Sequence, residues 1–162
     1  MPAASFDLPL IFEALSRVCA DVSQVDVVYG TNIGTAQSPI VVPISDDPPT
    51  SPTILLLPGA WSVIVGGMNR FTFDAAGTIF CPRDVAPGEG LVLLMQIFAR
   101  LFDAFTARSK AYEASPVLQS VVLTEGPGLQ SAEWPPDSEA WYLTWPFGLE
   151  VKVNVPGSPQ PR

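Results

Sequence analysis

Between Leu91 and Phe105 the chain reads LVLLMQIFARLFDAF, and only Gln96, Arg100 and Asp103 place strongly polar side chains in it. A one-sided surface helix carries an apolar stripe backed by a polar face. This segment, predicted as a helix from about Gly88 to Arg108, is apolar on nearly all sides and so needs cover on nearly all sides. A chain of 162 residues can lay one side of it on its own small sheet. The remaining apolar surface is expected to meet another subunit.

Upstream, Leu8, Ile11, Phe12, Leu15, Val18, Cys19 and Val22 recur at three- and four-residue steps and predict a first helix. Ser5 or Asp7 is placed to cap it, and Pro9 is tolerated in a first turn, where its missing N–H has no intrahelical partner. A short β run, Val25–Tyr29, follows and stops at Gly30. From Thr31 to Pro52 the chain carries Gly, Ser, Thr, Asp and several prolines around one apolar run, Ile40–Ile44. At about 20 residues this predicted loop exceeds the usual connection, and such loops are commonly functional or disordered.

Thr53–Leu57, TILLL, has the continuous apolar character of a buried strand, ended by an expected turn at Pro58-Gly59. Trp61–Val65 is a second strand candidate, and Gly66-Gly67 reads as the hairpin turn into a long alternating run, Asn69–Cys81. There Phe71, Phe73 and Ala75, continued by Gly77, Ile79 and Cys81, share one face; Arg70, Thr72, Asp74, Thr78 and Phe80 share the other. After the long helix come a strand over Leu118–Thr124, a loop over Glu125–Glu139, and a last strand near Trp141–Val155. The order predicts an α+β domain: a small, mostly antiparallel β-sheet flanked by an N-terminal helix and a long central helix. One domain over residues 1–155 is expected, with a disordered tail over 156–162.

Composition sharpens this picture. Charged residues make up 15% of the chain against a usual figure of about 25%. There are 18 prolines and the net charge is −8. No long Lys/Arg cluster exists, which argues against tight phosphate binding, because basic side chains that release counterions dominate nucleic-acid affinity. Cys19 and Cys81 are expected to be reduced and buried, since two cysteines in a chain this long do not make a disulfide framework. Asp7, Pro9, Glu13 and Arg17 interrupt the first stretch, so no signal peptide is expected. No uninterrupted apolar window reaches the roughly 20 residues of a bilayer crossing. The expectation is a soluble protein made in a cytoplasm, with no membrane partner.

Histidine is absent from the chain. That removes His-based general base catalysis, Ser–His–Asp and Cys–His arrangements and His-ligated zinc. Glycines at Gly66-Gly67 and Gly88-Glu89-Gly90 match no phosphate-cradling spacing and read as turns. Acid pairs at Asp46-Asp47 and at Asp137 with Glu139 lie in proline-bordered loops and read as solvated acids; an acid pair for glycoside cleavage or a hard-metal site is the alternative. No cofactor or metal is expected. The tryptophans are candidates for a partner contact or for capping a small core. Trp61, Trp134 and Trp145 fall in or beside predicted loops or turns, and Pro135-Pro136 would stiffen a loop that offers Trp134 outward. On the long helix, Leu94, Phe98 and Phe102 are interface candidates, and Arg100 and Asp103 are placed either to pair across a subunit boundary or to form one solvated stripe.

In order and spacing, several segments together resemble the tail terminator proteins of long-tailed bacteriophages, also called tail completion or head-tail joining proteins. They are the helix IFEALSRVCADV leading into VDVVYG, the proline-rich loop, the strand PTILLLPG and the long strand RFTFDAAGTIFCPR. The helix LVLLMQIFARLFDAF, the bridge YEASPVLQSVVLTEGPG and the closing strand WYLTWPFGLEVKVNV complete the set, which covers most of residues 8–155. The similarity is one of layout, with no invariant motif, and the long Thr31–Pro52 loop departs from it. The resemblance implies a structural virion protein with no catalytic residues. It implies a hexameric ring on the last ring of the tail tube, which stops further polymerisation and offers its other face to the head-tail connector or stopper protein. It further implies a sheet facing the channel, contacts between neighbouring subunits through helices and loops, and DNA passing through without specific binding. Three alternatives stand beside it: another neck or minor tail protein, a small carboxylate-based enzyme, and a monomeric ligand-binding module with Trp61 and Trp145 lining a pocket.

Overall fold

The computed structural model describes residues 7–32, 41–43, 51–65, 69–106, 113, 118–134 and 139–155. Their element order is α1 (Leu8–Ser23), β1 (Asp26–Asn32), β2 (Val41–Pro43), β3 (Thr53–Ile64), β4 (Asn69–Phe80), α2 (Pro87–Phe105), β5 (Ser120–Leu123), β6 (Gln130–Glu133) and β7 (Trp141–Val155). This is an α+β fold with one mostly antiparallel sheet and both expected helices. Strand order across the sheet is β2-β1-β3-β4-β7-β5, and β6 also pairs with β7. All pairings are antiparallel except β1 with β3, which run parallel.

Local chemistry sets the helix limits. The Asp7 carboxylate accepts from the Leu10 N–H at 3.0 Å, which satisfies one of the orphan donors of the first turn of α1. At the other end Gln24 takes a left-handed conformation, φ 59°, and donates its backbone N–H to the Ala20 carbonyl at 2.8 Å. Pro87 opens α2 where its missing N–H costs nothing. The helix ends at Phe105, short of the expected Arg108, because Thr106 turns extended and its Oγ1 donates to the Asp103 carbonyl at 3.4 Å.

Several strand boundaries differ from the sequence reading; β1 runs on through the expected stop at Gly30 to Asn32. The expected turn at Pro58-Gly59 is a bulge inside a continuous β3, with the register against β4 shifting between Pro58 and Trp61. Proline, which lacks an N–H, is tolerated where the ladder is already interrupted, and at Gly59 an added Cβ would lie 3.1 Å from the Asp74 carbonyl oxygen. Inside the predicted 31–52 loop, Val41–Pro43 pairs with Gly30–Asn32 as β2. Likewise β6 interrupts the predicted 125–139 loop and pairs with the start of β7. Short strands of this kind depend on a neighbour, so local pattern shows them poorly. The Gly66-Gly67 turn, the remainder of the long loop and the 156–162 tail lie outside the described residues.

Both helices lie on one face of the sheet. Ile11, Phe12, Leu15 and Cys19 of α1 and Leu94, Ile97, Leu101, Ala104 and Phe105 of α2 form one core with Ile54 and Leu56 of β3, the Phe71, Phe73, Ala75 and Ile79 face of β4, Val121 of β5, and Phe147, Leu149, Val151 and Val153 of β7. Alternation across β4 is thus as expected. Gly77 completes that face because the Phe147 ring occupies the space a Cβ would take. The second sheet face carries exposed Arg70 and Asp74 with half-buried Thr72, Thr78, Glu150 and Lys152. At one end of it Leu55, Phe80, Trp134 and Tyr142 make a separate, smaller core.

Candidate assembly surface

The outer side of α2 is the first candidate surface. Gly90, Leu94, Ile97, Leu101, Ala104 and Phe105 are buried against the rest of the fold. On the opposite side Val92, Met95, Ala99 and Phe102 are exposed, and their steps of three and four residues place them in one row. Phe102 leaves 50% of its surface in water. The sheet beneath the helix takes one apolar stripe, and a second one faces outward.

A second apolar patch sits at the far end of the β3–β4 hairpin. Trp61, Val63, Ile64 and Val65 are all exposed there, Trp61 by 69% and Val65 by 80%. Register puts Trp61 opposite Phe73 and Val63 opposite Phe71, on the same sheet face as the core. The Trp61 ring stacks on Phe71 with centroids 5.9 Å apart. That contact holds the indole in place while its other face stays in water.

The sequence-derived candidates divide by position. Trp61 and Phe102 lie on the two exposed patches. Leu94, by contrast, is fully buried in the chain's own core and is no contact for a partner. Phe98 is half-buried, with its ring 5.5 Å from that of Trp145, so these two serve mainly as the edge of the core. Trp134 corrects the expectation of an outward-facing indole: it is 2% exposed, edge-on to Phe80 at 4.8 Å, with its backbone N–H donating to the Ala140 carbonyl. The short β6, invisible as a pattern, is what carries Trp134 under the sheet. Arg100 is exposed but donates within the chain, to the Ser23 carbonyl at 3.0 Å, where it satisfies the C-terminal end of α1. Asp103 is exposed, and among the described residues its carboxylate forms no ion pair.

Sequence reasoning missed Val92, Met95, Val63, Ile64 and Val65 as individual surface residues. The three-residue step from Val92 to Met95 to the Phe102 row was legible, but which of the two apolar stripes of α2 faces the sheet was not. The pocket imagined between Trp61 and Trp145 does not form. They share a sheet face, but Trp61 aligns with Phe73 and Trp145 with Ile79, which separates them by about 20 Å along β4.

Chemistry elsewhere is sparse. Asp46, Asp47 and Asp137 lie outside the described residues, and Glu139 is exposed. Among the described residues no cluster of three or more acidic or cysteine side chains is arranged to hold a metal ion. Both cysteines are free and buried. Burial pushes the Cys19 thiol up to about 12; for Cys81, burial first and the Asp84 carboxylate second raise the thiol above its ordinary value. Neither is poised as a nucleophile. No described helix is long and apolar enough to cross a membrane. No protein-family model matches the chain, and no curated protein matches it in sequence.

Proposed function

We propose that this chain is a structural virion protein that assembles as a ring, with six copies implied by its resemblance, at the head-proximal end of a long-tailed phage tail tube. There it ends tube polymerisation and joins the tail to the head connector. The observation that carries the assembly part is the pair of separate apolar surfaces, the outer stripe of α2 and the hairpin tip. Two different sticky patches on one chain favour head-to-tail contact, and head-to-tail contact closes into a ring when the rotation per subunit allows it. The tail position rests on the order and spacing of the segments, which resemble tail terminators. A net charge of −8 suits a ring whose channel passes DNA without holding it.

Another ring of the same neck would use the same surfaces, so the test must read both assembly and address. Native mass spectrometry over a range of concentrations, with negative-stain averages of the same sample, is expected to give a six-fold ring, alone or on addition of purified tail tubes. The ring is expected to cap isolated tubes. Capping of DNA-filled heads in place of tubes would move the assignment to a stopper. A protein that stays monomeric with and without tubes, and binds neither particle, would overturn the reading.

A further inference from the structure

The outer stripe of α2 has two unlike flanks. Helical spacing sets exposed Glu89, Gln96, Arg100 and Asp103 along one side of it and half-buried Leu91 and Phe98 along the other. Among the described residues, Glu89, Arg100 and Asp103 form no ion pair. Arg100 donates from Nη1 to the Ser23 carbonyl and stays exposed. The first turn lacks a side-chain cap, because Ala86 stands at the N-cap. These features read as their own complement when the helix is reversed about the point between Leu94 and Met95. Glu89 lies as far before that point as Arg100 lies after it, Leu91 as Phe98, Pro87 as Phe102, and Ala86 as Asp103. A two-fold pair of antiparallel helices brings the same flank of each together. At this register it sets Glu89 against Arg100, Leu91 against Phe98, and Asp103 against the uncapped first turn, each twice, with the helix dipoles opposed. A parallel two-fold pair would set the charged flank of each helix against the apolar flank of the other. The hairpin tip offers no such match, since Arg70, in register with Ile64, lies on the sheet face away from Trp61 and Val63.

We infer that α2 pairs antiparallel with α2 of a second copy, about a two-fold axis level with Leu94 and Met95, with a Glu89–Arg100 ion pair toward each end. Met95 meets its counterpart at the axis. Phe102 lies over Pro87 and Gly88 of the other copy, where the missing side chain of Gly88 leaves room for the ring. Asp103 accepts from the free N–H groups of the other copy's first turn. Such a contact uses one surface on both copies and stops at two. It goes beyond the ring reading and does not depend on it. A ring that takes the stripe into a head-to-tail contact must first open this pair, so the dimer is the form in which the free chain keeps its stripe covered before a tube end is met.

Sedimentation of the full-length chain without tail tubes is expected to show a monomer–dimer equilibrium. Disulfide trapping reads the register, since Cys19 and Cys81 are buried and give little background. Under mild oxidation Met95→Cys alone is expected to cross-link to itself. Phe102→Cys alone is expected not to, because the register holds its two copies about 22 Å apart along the helices. A mixture of Gly88→Cys and Phe102→Cys chains is expected to give the mixed disulfide. Glu89→Arg is expected to weaken dimerisation about tenfold, and Glu89→Arg with Arg100→Glu to restore it to within about threefold. Far-ultraviolet circular dichroism checks the fold of each variant, and the cross-links carry the test should loss of the Arg100–Ser23 bond unsettle the double variant. A strict monomer at every concentration, a six-fold ring in place of the dimer, or Phe102→Cys linking to itself while Met95→Cys stays unlinked overturns the antiparallel pair. Tubes capped by a chain that shows no such dimer overturn the pair and leave the ring reading standing. A cross-linked dimer in a chain that never caps a tube supports the pair and overturns the ring reading.

Discussion

Cys19 shows what a single residue's environment does to stability. Its thiol lies in the core between α1 and the sheet, and burial holds it neutral up to about pH 12, against 9.0 for an unperturbed thiol. A raised folded-state pKa contributes stability that is fully present below the unfolded value and is lost as pH climbs toward the folded one. Stability is therefore expected to fall as pH rises from 9 toward about 12, with Cys19 adding to the steepness of that decline. Urea unfolding of Cys19→Ala is expected to show a lower midpoint at pH 7, from the cavity, and a shallower alkaline decline. Identical alkaline slopes would remove the thiol from the account. The same burial takes both described thiols, Cys19 and Cys81, out of reach of a substrate.

Elements are where the division of labour appears. α2 is one helix with two apolar stripes, of which one is core and the other surface. Leu94→Ala is expected to cost about 2–5 kcal/mol in urea unfolding, because it opens a cavity beneath the helix. Met95→Ser, one residue along, is expected to change monomer stability by no more than about 0.5 kcal/mol and to weaken association instead. If the two substitutions destabilised the monomer equally, the outer stripe would be part of the core. The sequence pattern marked α2 as needing cover on most sides, and that need was legible because it is purely a count of apolar side chains around a helix. Its interface residues were not: Leu94 and Phe102 are both large, apolar and helical, and only the docking angle of α2 on β4, β5 and β7 separates them.

At the scale of the whole molecule, charge opposes assembly while apolar area favours it. Copies with a net charge of −8 repel one another. Raising ionic strength from 0.01 to 0.15 M shortens the screening length from about 30 to about 8 Å, so self-association is expected to strengthen with salt. Sedimentation velocity at the two salt concentrations checks this. Weakening with salt would mean that attraction between charges holds copies together, and would count against the apolar surfaces as the main contact. Because a single chain must leave both surfaces exposed, the monomer is expected to be the less soluble form.

Helix positions, the strand alternation of β4, the long closing strand and the α+β class follow from periodicity, capping residues and turn residues, which act over a few neighbours and are written directly in the chain. The bulge at Pro58, the pairing of β2 and β6, the burial of Trp134 and the exposure of Trp61 were decided by partners distant in sequence. Trp134 and Trp61 both sit among turn-forming residues and look alike as a pattern. One is carried by β6 onto Phe80 and Tyr142; the other stacks one face on Phe71 near the open end of the β3–β4 hairpin and leaves the rest in water. Side-chain type determines that a tryptophan seeks cover, and tertiary structure alone determines whether its own chain can provide it.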